Sequence, residues 1–297
     1  MLQDAFDAYR VDADGPLSER LRFLEGLVAI QTEVAATATP SAVSDAEVAH
    51  EGLLTGQPLF LAAPPTLPRD EFVAAVERIA AYVAQEAGLD EAQAAALRAA
   101  DFAGAITGER LRDAASSVDL FVAQISAAVG ANADADLKPA TCAYVVVSAL
   151  SPFFASGAKA AVESLGGLDK KSWTLGTCPV CGSPATLGVM GESTKEKGSE
   201  RVLWCGLCHT KWVSERLACA RCGNRAADRL RYVHVDGDPA HRLHLCDECH
   251  GYLRVVFASD LAKPLSMVVE DAVTATLDGV ARNEGYTATG EVRDAGA

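Results

Sequence analysis

Aromatic residues are scarce in this chain. They make up 6% of 297 residues, so a core must be filled mainly by Ala, Leu and Val. Hydrophobic content of 49% is enough to do that. Basic charge is also short. Lys and Arg number 26 against 40 Asp and Glu, a formal net charge of −14. Such a balance argues against a general nucleic-acid or anionic-membrane binder. A signal peptide is not expected, because Met1-Leu2-Gln3-Asp4-Ala5-Phe6-Asp7 is acidic and has neither a basic nor an apolar leader region. A cytoplasmic address follows as the default. We find no glycine-rich phosphate loop and no nucleophile–His–acid arrangement.

Cysteine is nearly absent from residues 1 to 167, where Cys142 stands alone in the apolar run Ala140-Thr141-Cys142-Ala143-Tyr144-Val145. It reads as a small buried hydrophobe. The other eight fall into four Cys-x-x-Cys pairs: Cys178/Cys181, Cys205/Cys208, Cys219/Cys222 and Cys246/Cys249. The last two pairs repeat the first two at a constant offset of 41 residues. In a chain expected in a reducing compartment, such pairs read as metal ligands rather than disulfides. Two thiolate pairs make a closed tetrahedral site, and the repeat implies two sites of one design.

Sequential pairing is the economical assignment. Cys178, Cys181, Cys205 and Cys208 would hold one ion, and Cys219, Cys222, Cys246 and Cys249 the other. A cross-braced arrangement, first pair with third, stays open. Zinc and iron both suit four thiolates, and the sequence does not choose between them. Zinc would be purely structural, whereas iron would add a one-electron couple. A closed site leaves no coordination position for substrate, which weighs against metal catalysis and against an enzyme. His209 and His250 directly follow ligand cysteines and are read as neighbours of the sites rather than ligands. His234, His241 and His244 are read as surface residues, and Trp173, Trp204 and Trp212 as packing around the cysteine turns.

The chain divides near Gly166-Gly167. Before it lie expected helices: one capped by Ser18, a short one opened by a Ser44-Asp45-Ala46-Glu47 capping box, one over Arg69–Ala87 stopped by Gly88, and others at about 90–102, 109–129 and 140–165. The Arg69–Ala87 helix puts Phe72, Val76, Ile79 and Val83 on one face. Pro139 to Ala158 carries no charge and is long enough to span a bilayer. Its Ser, Pro and Gly content and the lack of a basic flank favour a buried bundle helix, with no membrane insertion. Beyond the boundary come expected strands at Ala185–Met190, Arg201–Trp204, Lys211–Leu217, Leu230–Val235, Arg242–Leu245 and Tyr252–Phe257. A helix follows from about Pro264, striped by Leu265, Val268, Val269, Ala272, Val273, Leu277 and Val280. Residues from Thr287 read as a mobile tail.

Charge is uneven along the chain. Between Asp169 and Cys249 there are 12 Lys/Arg and 10 Asp/Glu. One local stretch is cationic: Arg216, Arg221, Arg225, Arg229 and Arg231 against Glu215 and Asp228. It is read as a solvated face, with docking of an acidic surface as the alternative.

Several motifs resemble the formate dehydrogenase accessory protein family. They are Trp173 with Cys178-Pro179-Val180-Cys181-Gly182-Ser183-Pro184, Arg201-Val202-Leu203-Trp204-Cys205 with Cys208 and Trp212, and Arg216 ahead of Cys219 and Cys222. Cys246-Asp247-Glu248-Cys249-His250-Gly251-Tyr252-Leu253, Glu270-Asp271, Leu277-Asp278 and Glu284-Gly285-Tyr286 continue it. In the N-terminal part Arg22-Phe23-Leu24, Ala29-Ile30-Gln31 and Leu67-Pro68-Arg69-Asp70 are similar. The His after the second and fourth cysteine pairs departs from the family pattern.

The resemblance implies a multidomain α plus small β architecture. A helical domain over 1–167 would precede two tandem rubredoxin-like four-cysteine zinc-ribbon units, 168–214 and 215–257, with a C-terminal helix and tail over 258–297. It implies all eight paired cysteines as ligands of two ions, zinc or iron. It also implies a non-catalytic cytoplasmic chaperone for the catalytic subunit of a molybdenum or tungsten formate dehydrogenase, acting before export. No nucleic-acid partner is expected, and a homo-oligomer is compatible with the reading. The alternative function is a rubredoxin-like iron protein for electron transfer or oxygen sensing.

Overall fold

A computed structural model describes residues 2–10, 15–39, 45–131, 137–168, 173–192 and 199–290. The helices are α1 (Leu2–Arg10), α2 (Gly15–Thr37), α3 (Ala46–Leu54), α4 (Leu59–Ala62), α5 (Arg69–Glu86), α6 (Glu91–Ala99), α7 (Phe102–Ala105), α8 (Gly108–Asp113), α9 (Val118–Ala131), α10 (Pro139–Ser164), α11 (Met267–Thr274) and α12 (Thr276–Asn283). The strands are β1 (Leu187–Glu192), β2 (Ser199–Trp204), β3 (Lys211–Ser214), β4 (Leu230–Val235), β5 (Asp238–Cys246) and β6 (Gly251–Phe257). A helical N-terminal region is thus followed by a small sheet and C-terminal helices. Packing defines two compact units, Phe23–Gly167 and Met1–Arg22 with Leu168–Ala297.

In the helical unit α10 packs on α5 and α9. Its apolar length is core: Val145, Val146, Leu150, Phe153 and Phe154 are buried, as is Cys142. Alone among the described residues, this helix is long and apolar enough to cross a membrane, yet 67% of its apolar window is buried inside the protein. Ring contacts tie the helices together. Phe153 meets Phe72 of α5 edge-on at 5.8 Å, and Phe154 meets Phe60 of α4 at 5.3 Å. Pro152 sits inside α10. It has no N–H to give the Ser148 carbonyl one turn back. The Gln31 side chain supplies that bond instead, Nε2–H to Ser148 O at 2.8 Å.

Helix ends differ from the sequence expectation where other groups cap first. α2 starts at Gly15, so Ser18 lies within it rather than capping it. Asp45, not Ser44, caps α3, accepting from the N–H groups of Glu47 and Val48; Ser44 lies outside the described residues. The run 109–129 is two helices. Thr107 Oγ1 caps α8, and Ser117 Oγ accepts from Leu120 N at 3.3 Å to start α9 afresh. α5 matches its expected face, with Phe72, Val76, Ile79 and Val83 buried and Gly88 at φ +64° beyond its end.

In the second unit both four-cysteine halves share one six-stranded sheet, ordered β3-β2-β1-β6-β5-β4. Each half is an antiparallel three-stranded meander. The halves join where β1 and β6 pair in parallel, Leu187 opposite Arg254 and Met190 opposite Phe257. The 41-residue offset lays β1 over β4, β2 over β5 and β3 over β6. The halves are therefore related by translation across the sheet, first strand of one against last strand of the other. At their junction the backbones almost touch: a Cβ on Gly176 would lie 1.5 Å from Ala220 O. Only glycine fits there.

One face of the sheet is covered by the C-terminal helices. Leu187, Val189, Trp204 and Val256 pack on Met267 of α11. Leu243, Leu245 and Tyr252 pack on Leu277 and Ala281 of α12 and on Tyr286. The buried Arg254 of β6 anchors these helices, donating to Asp271 O and Thr274 Oγ1 and pairing with Asp271 and Asp278. The expected single helix is broken at Ala275, and Leu265 and Val280 of its stripe are exposed.

α1, expected with the helical domain, instead packs on α11 and belongs to the sheet unit. Tyr9 donates to both oxygens of the fully buried Glu270 at 2.9 and 3.0 Å, and Lys263 donates to Ala8 O. The expected tail is pinned at its start. Thr287 N–H donates to His250 O and Thr287 O accepts from Tyr252 N–H, while residues 291–297 lie outside the described residues.

Candidate metal centres

Three of the four cysteine pairs sit on tight turns whose backbone is fixed by short local bonds. In the first, Cys178 N–H donates to Ser183 O at 2.8 Å and Gly182 N–H to Cys178 O at 3.0 Å. The third repeats this with Cys219 to Asn224 and Gly223 to Cys219, at 2.8 and 3.1 Å. In the second, Cys205 N–H donates to Thr210 O and His209 N–H to Cys205 O. Such turns aim backbone N–H groups at sulfur. Val180 N–H reaches Cys178 Sγ at 3.4 Å, and Arg221 N–H reaches Cys219 Sγ at 3.3 Å. These contacts offset part of a thiolate's charge.

The strands then bring the turns face to face. In the first half, Cys178 Sγ lies 3.4 Å from Cys208 Sγ and Cys181 Sγ 3.4 Å from Cys205 Sγ. In the second, Cys219 to Cys249 and Cys222 to Cys246 are both 3.8 Å. Within each group of four, all sulfurs lie within 4.8 Å of one another. A tetrahedral ion with sulfurs at about 2.3 Å has sulfur–sulfur edges of roughly 3.8 Å. The second group has that spacing and the first is slightly tighter, so both donor sets fit an ion such as zinc or iron. The grouping is sequential; the cross-braced alternative is not the arrangement of the fold.

Thiols this close cannot all ionise without a cation. Cys219 is pulled down to about 4, first by the bond from Cys249 and also by the N–H groups of Cys222 and Arg221. Its neighbours move the other way. Cys222, though an exposed residue, is pushed up to about 11 chiefly by partial loss of water around its thiol within the cluster, and Cys249 is raised by its bond to Cys219. In the first group Cys181 is held low by its three sulfur neighbours, while burial raises Cys178. One thiolate with crowded neutral partners is the state that a divalent cation resolves, by displacing the remaining protons.

The family model "FdhE, central domain" matches residues 177–216, the stretch that carries the first four-cysteine group. A curated relative from Shewanella oneidensis, named Protein FdhE homolog, is 31% identical over 112 residues, covering 38% of this chain and 36% of that protein. One from Pseudomonas putida is 32% identical over 154 residues, covering 48% and 46%. The sequence matches thus span about a third to a half of the relatives' length. The crystal structure of the FdhE protein from Pseudomonas aeruginosa aligns with a TM-score of 0.55 at 22% identity, covering 92% of this chain and 87% of that one. The sequence matches cover part of the chain, and the crystal structure shows a similar fold over most of it.

The two four-cysteine sites differ in surroundings. The first group is wholly buried, whereas Cys219 is partly exposed and Cys222 exposed. All three tryptophans belong to the first half. Trp173 Nε1–H donates to Thr177 O and Trp212 Nε1–H to Leu175 O, and each of the three rings is nearly fully buried. The residue after each pair's second cysteine is left-handed throughout: Gly182 at φ +76°, His209 at +60°, Gly223 at +72° and His250 at +50°. His is tolerated there because each ring is held, His209 on Trp204 at 5.5 Å and His250 against Tyr286 at 5.8 Å. The glycine-to-histidine alternation at one fixed position was the signal in the sequence for this shared geometry.

Two expected surface histidines are not on the surface. His241 bridges Asp238 and Glu270, each at 2.8 Å. His244 lies under Tyr232, ring to ring at 4.5 Å, and burial first, then Arg201 and Arg242, pushes it down to about 3. His234 is exposed as expected. The cationic stretch is a solvated face as expected, with Arg216, Arg225, Arg229 and Arg231 exposed and Arg221 turned inward. Arg221 donates to Tyr252 O and Ala185 O, Arg225 pairs with Glu215, and Arg231 with Glu284.

Proposed function

We propose that this chain is a maturation factor for a formate dehydrogenase, and that it binds the enzyme's catalytic subunit in the cytoplasm before export. The observation that carries the reading is the FdhE likeness, which pairs a central-domain sequence match on the first four-cysteine group with a fold match over nearly the whole chain. Cys178, Cys181, Cys205 and Cys208 hold one ion in this reading, and Cys219, Cys222, Cys246 and Cys249 the second. The ribbon halves over 168–214 and 215–257 act as one scaffold, with the 258–297 segment as its cover. Four thiolates close each coordination sphere, which suits a binding surface and not substrate turnover. The ion's part is to supply folding free energy to strands with a thin core.

Co-purification tests this. A tagged chain should capture a formate dehydrogenase catalytic subunit, and Cys178→Ala should lose it. Equal capture by that variant would make the metal scaffold dispensable for recognition. No capture by the unaltered protein would favour the second reading, an iron redox or oxygen-sensing protein. The exposure of Cys222 supports that alternative. Anaerobic purification separates them: a coloured protein bleached by dithionite belongs to the redox reading.

A further inference from the structure

The two four-cysteine groups differ less in sulfur spacing than in access. Distance alone would favour reaction between sulfurs in the first group, where the closest pairs are 3.4 Å apart against 3.8 Å in the second. All four cysteines of the first group are buried, however. In the second, Cys246 and Cys249 are buried, Cys219 is half-buried and Cys222 is exposed. The Cys249 sulfur is overlaid by backbone: a Cβ on Gly251 would lie 3.1 Å from it, and one on Gly290 3.3 Å. The Cys219 sulfur faces Cys249 and takes the Arg221 N–H at 3.3 Å. Cys222 is thus the open member of the set, and its sulfur lies 3.8 Å from that of buried Cys246. Oxidation-sensitive cysteines combine these two features, access for a reagent and a second sulfur beside them.

We propose that Cys222 is an oxidation site, at which a small hydroperoxide reacts and the sulfur then closes onto Cys246 and expels the second ion. In the loaded site every ligand is a thiolate, because ligation displaces the thiol protons, and the thiolate is the form that reacts. The Cys222 sulfur attacks the terminal peroxide oxygen. The O–O bond breaks, Cys222 becomes a sulfenic acid, and the hydroperoxide leaves as its alcohol after taking a proton from water. The Cys246 thiolate then attacks the sulfenic sulfur, an S–S bond forms and hydroxide departs. Two electrons pass from the two sulfurs to one peroxide. A disulfide sets its sulfurs at about 2.05 Å, so the facing turns close by less than about 2 Å. Only Cys219 and Cys249 are then left as thiolates, and an ion that wants four ligands leaves. The chemistry is on sulfur and holds for zinc or iron, which separates it from a one-electron couple. It rests on the second ion site of the maturation reading and not on that reading's partner.

The test uses the full chain loaded with zinc, so that iron chemistry plays no part. Hydrogen peroxide is added at about one equivalent. Zinc release is followed with a weak chromogenic chelator against a peroxide-free control, and disulfides are mapped by peptide mass spectrometry after the remaining thiols are alkylated. One zinc ion per chain should be released and the other retained, with Cys222 linked to Cys246. Dithiothreitol with added zinc should restore the loaded site. Cys222→Ala, which keeps only the first ion, should release zinc at least about tenfold more slowly at the same dose. If that variant does not fold, the mapping on the unaltered chain decides alone. Release no faster than in the control would overturn the proposal. So would loss of both ions together, or a linkage that omits Cys222 or joins it to a cysteine other than Cys246. A chain that passes this test yet captures no formate dehydrogenase subunit would keep the oxidation site and lose the maturation reading.

Discussion

The two four-cysteine groups have the same ligands at the same spacing on equivalent strands, yet they live in different surroundings. The first is sealed, with tryptophans of its own half around it. The second leaves Cys222 exposed and borders a cleft lined by arginines. Duplication copied the clamp but not its wrapping. A buried tetrathiolate acts as a fastening for the sheet, whereas an open one can exchange its ion or meet a ligand without unfolding its neighbours. The second half has a different support. Its β5 strand carries His241, which ties to Glu270 of α11 and through it to Tyr9 of α1.

The largest effect should come from removing one ligand on each side. Cys178→Ala is expected to release the first ion and unfold the sheet, since structural sites supply on the order of 10 kcal/mol to small folds. Cys222→Ala should lose only the second ion. Elemental analysis with circular dichroism would separate the two, and equal loss of structure in both variants would erase the contrast.

Next in size is Gly176→Ala. A methyl group there meets the backbone of Ala220, which cannot repack, so the joint between the halves should weaken by about 3 kcal/mol or more. Thermal unfolding of the metal-loaded protein measures it. A loss below about 1 kcal/mol would mean the halves are not held by this approach.

Chelation sharpens the comparison without mutation. With excess chelator the second ion should leave first, at least about tenfold faster, with the first retained until the sheet opens. Release in a single phase would deny the difference in accessibility.

The smallest effect concerns pH. Burial by itself would depress His241, but its bonds to Glu270 and Asp238 outweigh this and raise it above its usual value. A group raised on folding contributes stability that is complete below its unfolded value, about 6.5, and fades as pH climbs through the folded one. Melting temperature should therefore decline as pH rises beyond about 6.5 and through the raised folded value, and His241→Gln should flatten that slope. An identical slope in the variant would remove the imidazolium from the account.

The two four-cysteine groups were legible in the sequence because the geometry is local. Cys-x-x-Cys spacing, turn residues and a constant offset specify two clamps without knowledge of the tertiary fold. Strand positions were legible within a few residues for the same reason. What was hidden depends on partners distant in the chain. The β1–β6 junction joins Leu187 to Arg254 in parallel, and no repeat within a half encodes that pairing. The seat of α1 on α11 includes the buried bonds of Tyr9 to both Glu270 oxygens, a pair separated by 261 positions. His241 reads as surface because it falls outside the expected strand Arg242–Leu245; in β5 it shares the face of Leu243 and Leu245, and the carboxylate that buries it arrives from another element. The break at Ala275 lies inside a continuous apolar stripe that gave no sign of ending.

The account rests on two ions held by eight sulfurs, and X-ray absorption at the metal edge with elemental analysis tests this most directly. It predicts two ions per chain, each with four sulfur neighbours at about 2.3 Å. Fewer than two ions, or nitrogen or oxygen in place of any of the four sulfurs, would contradict it.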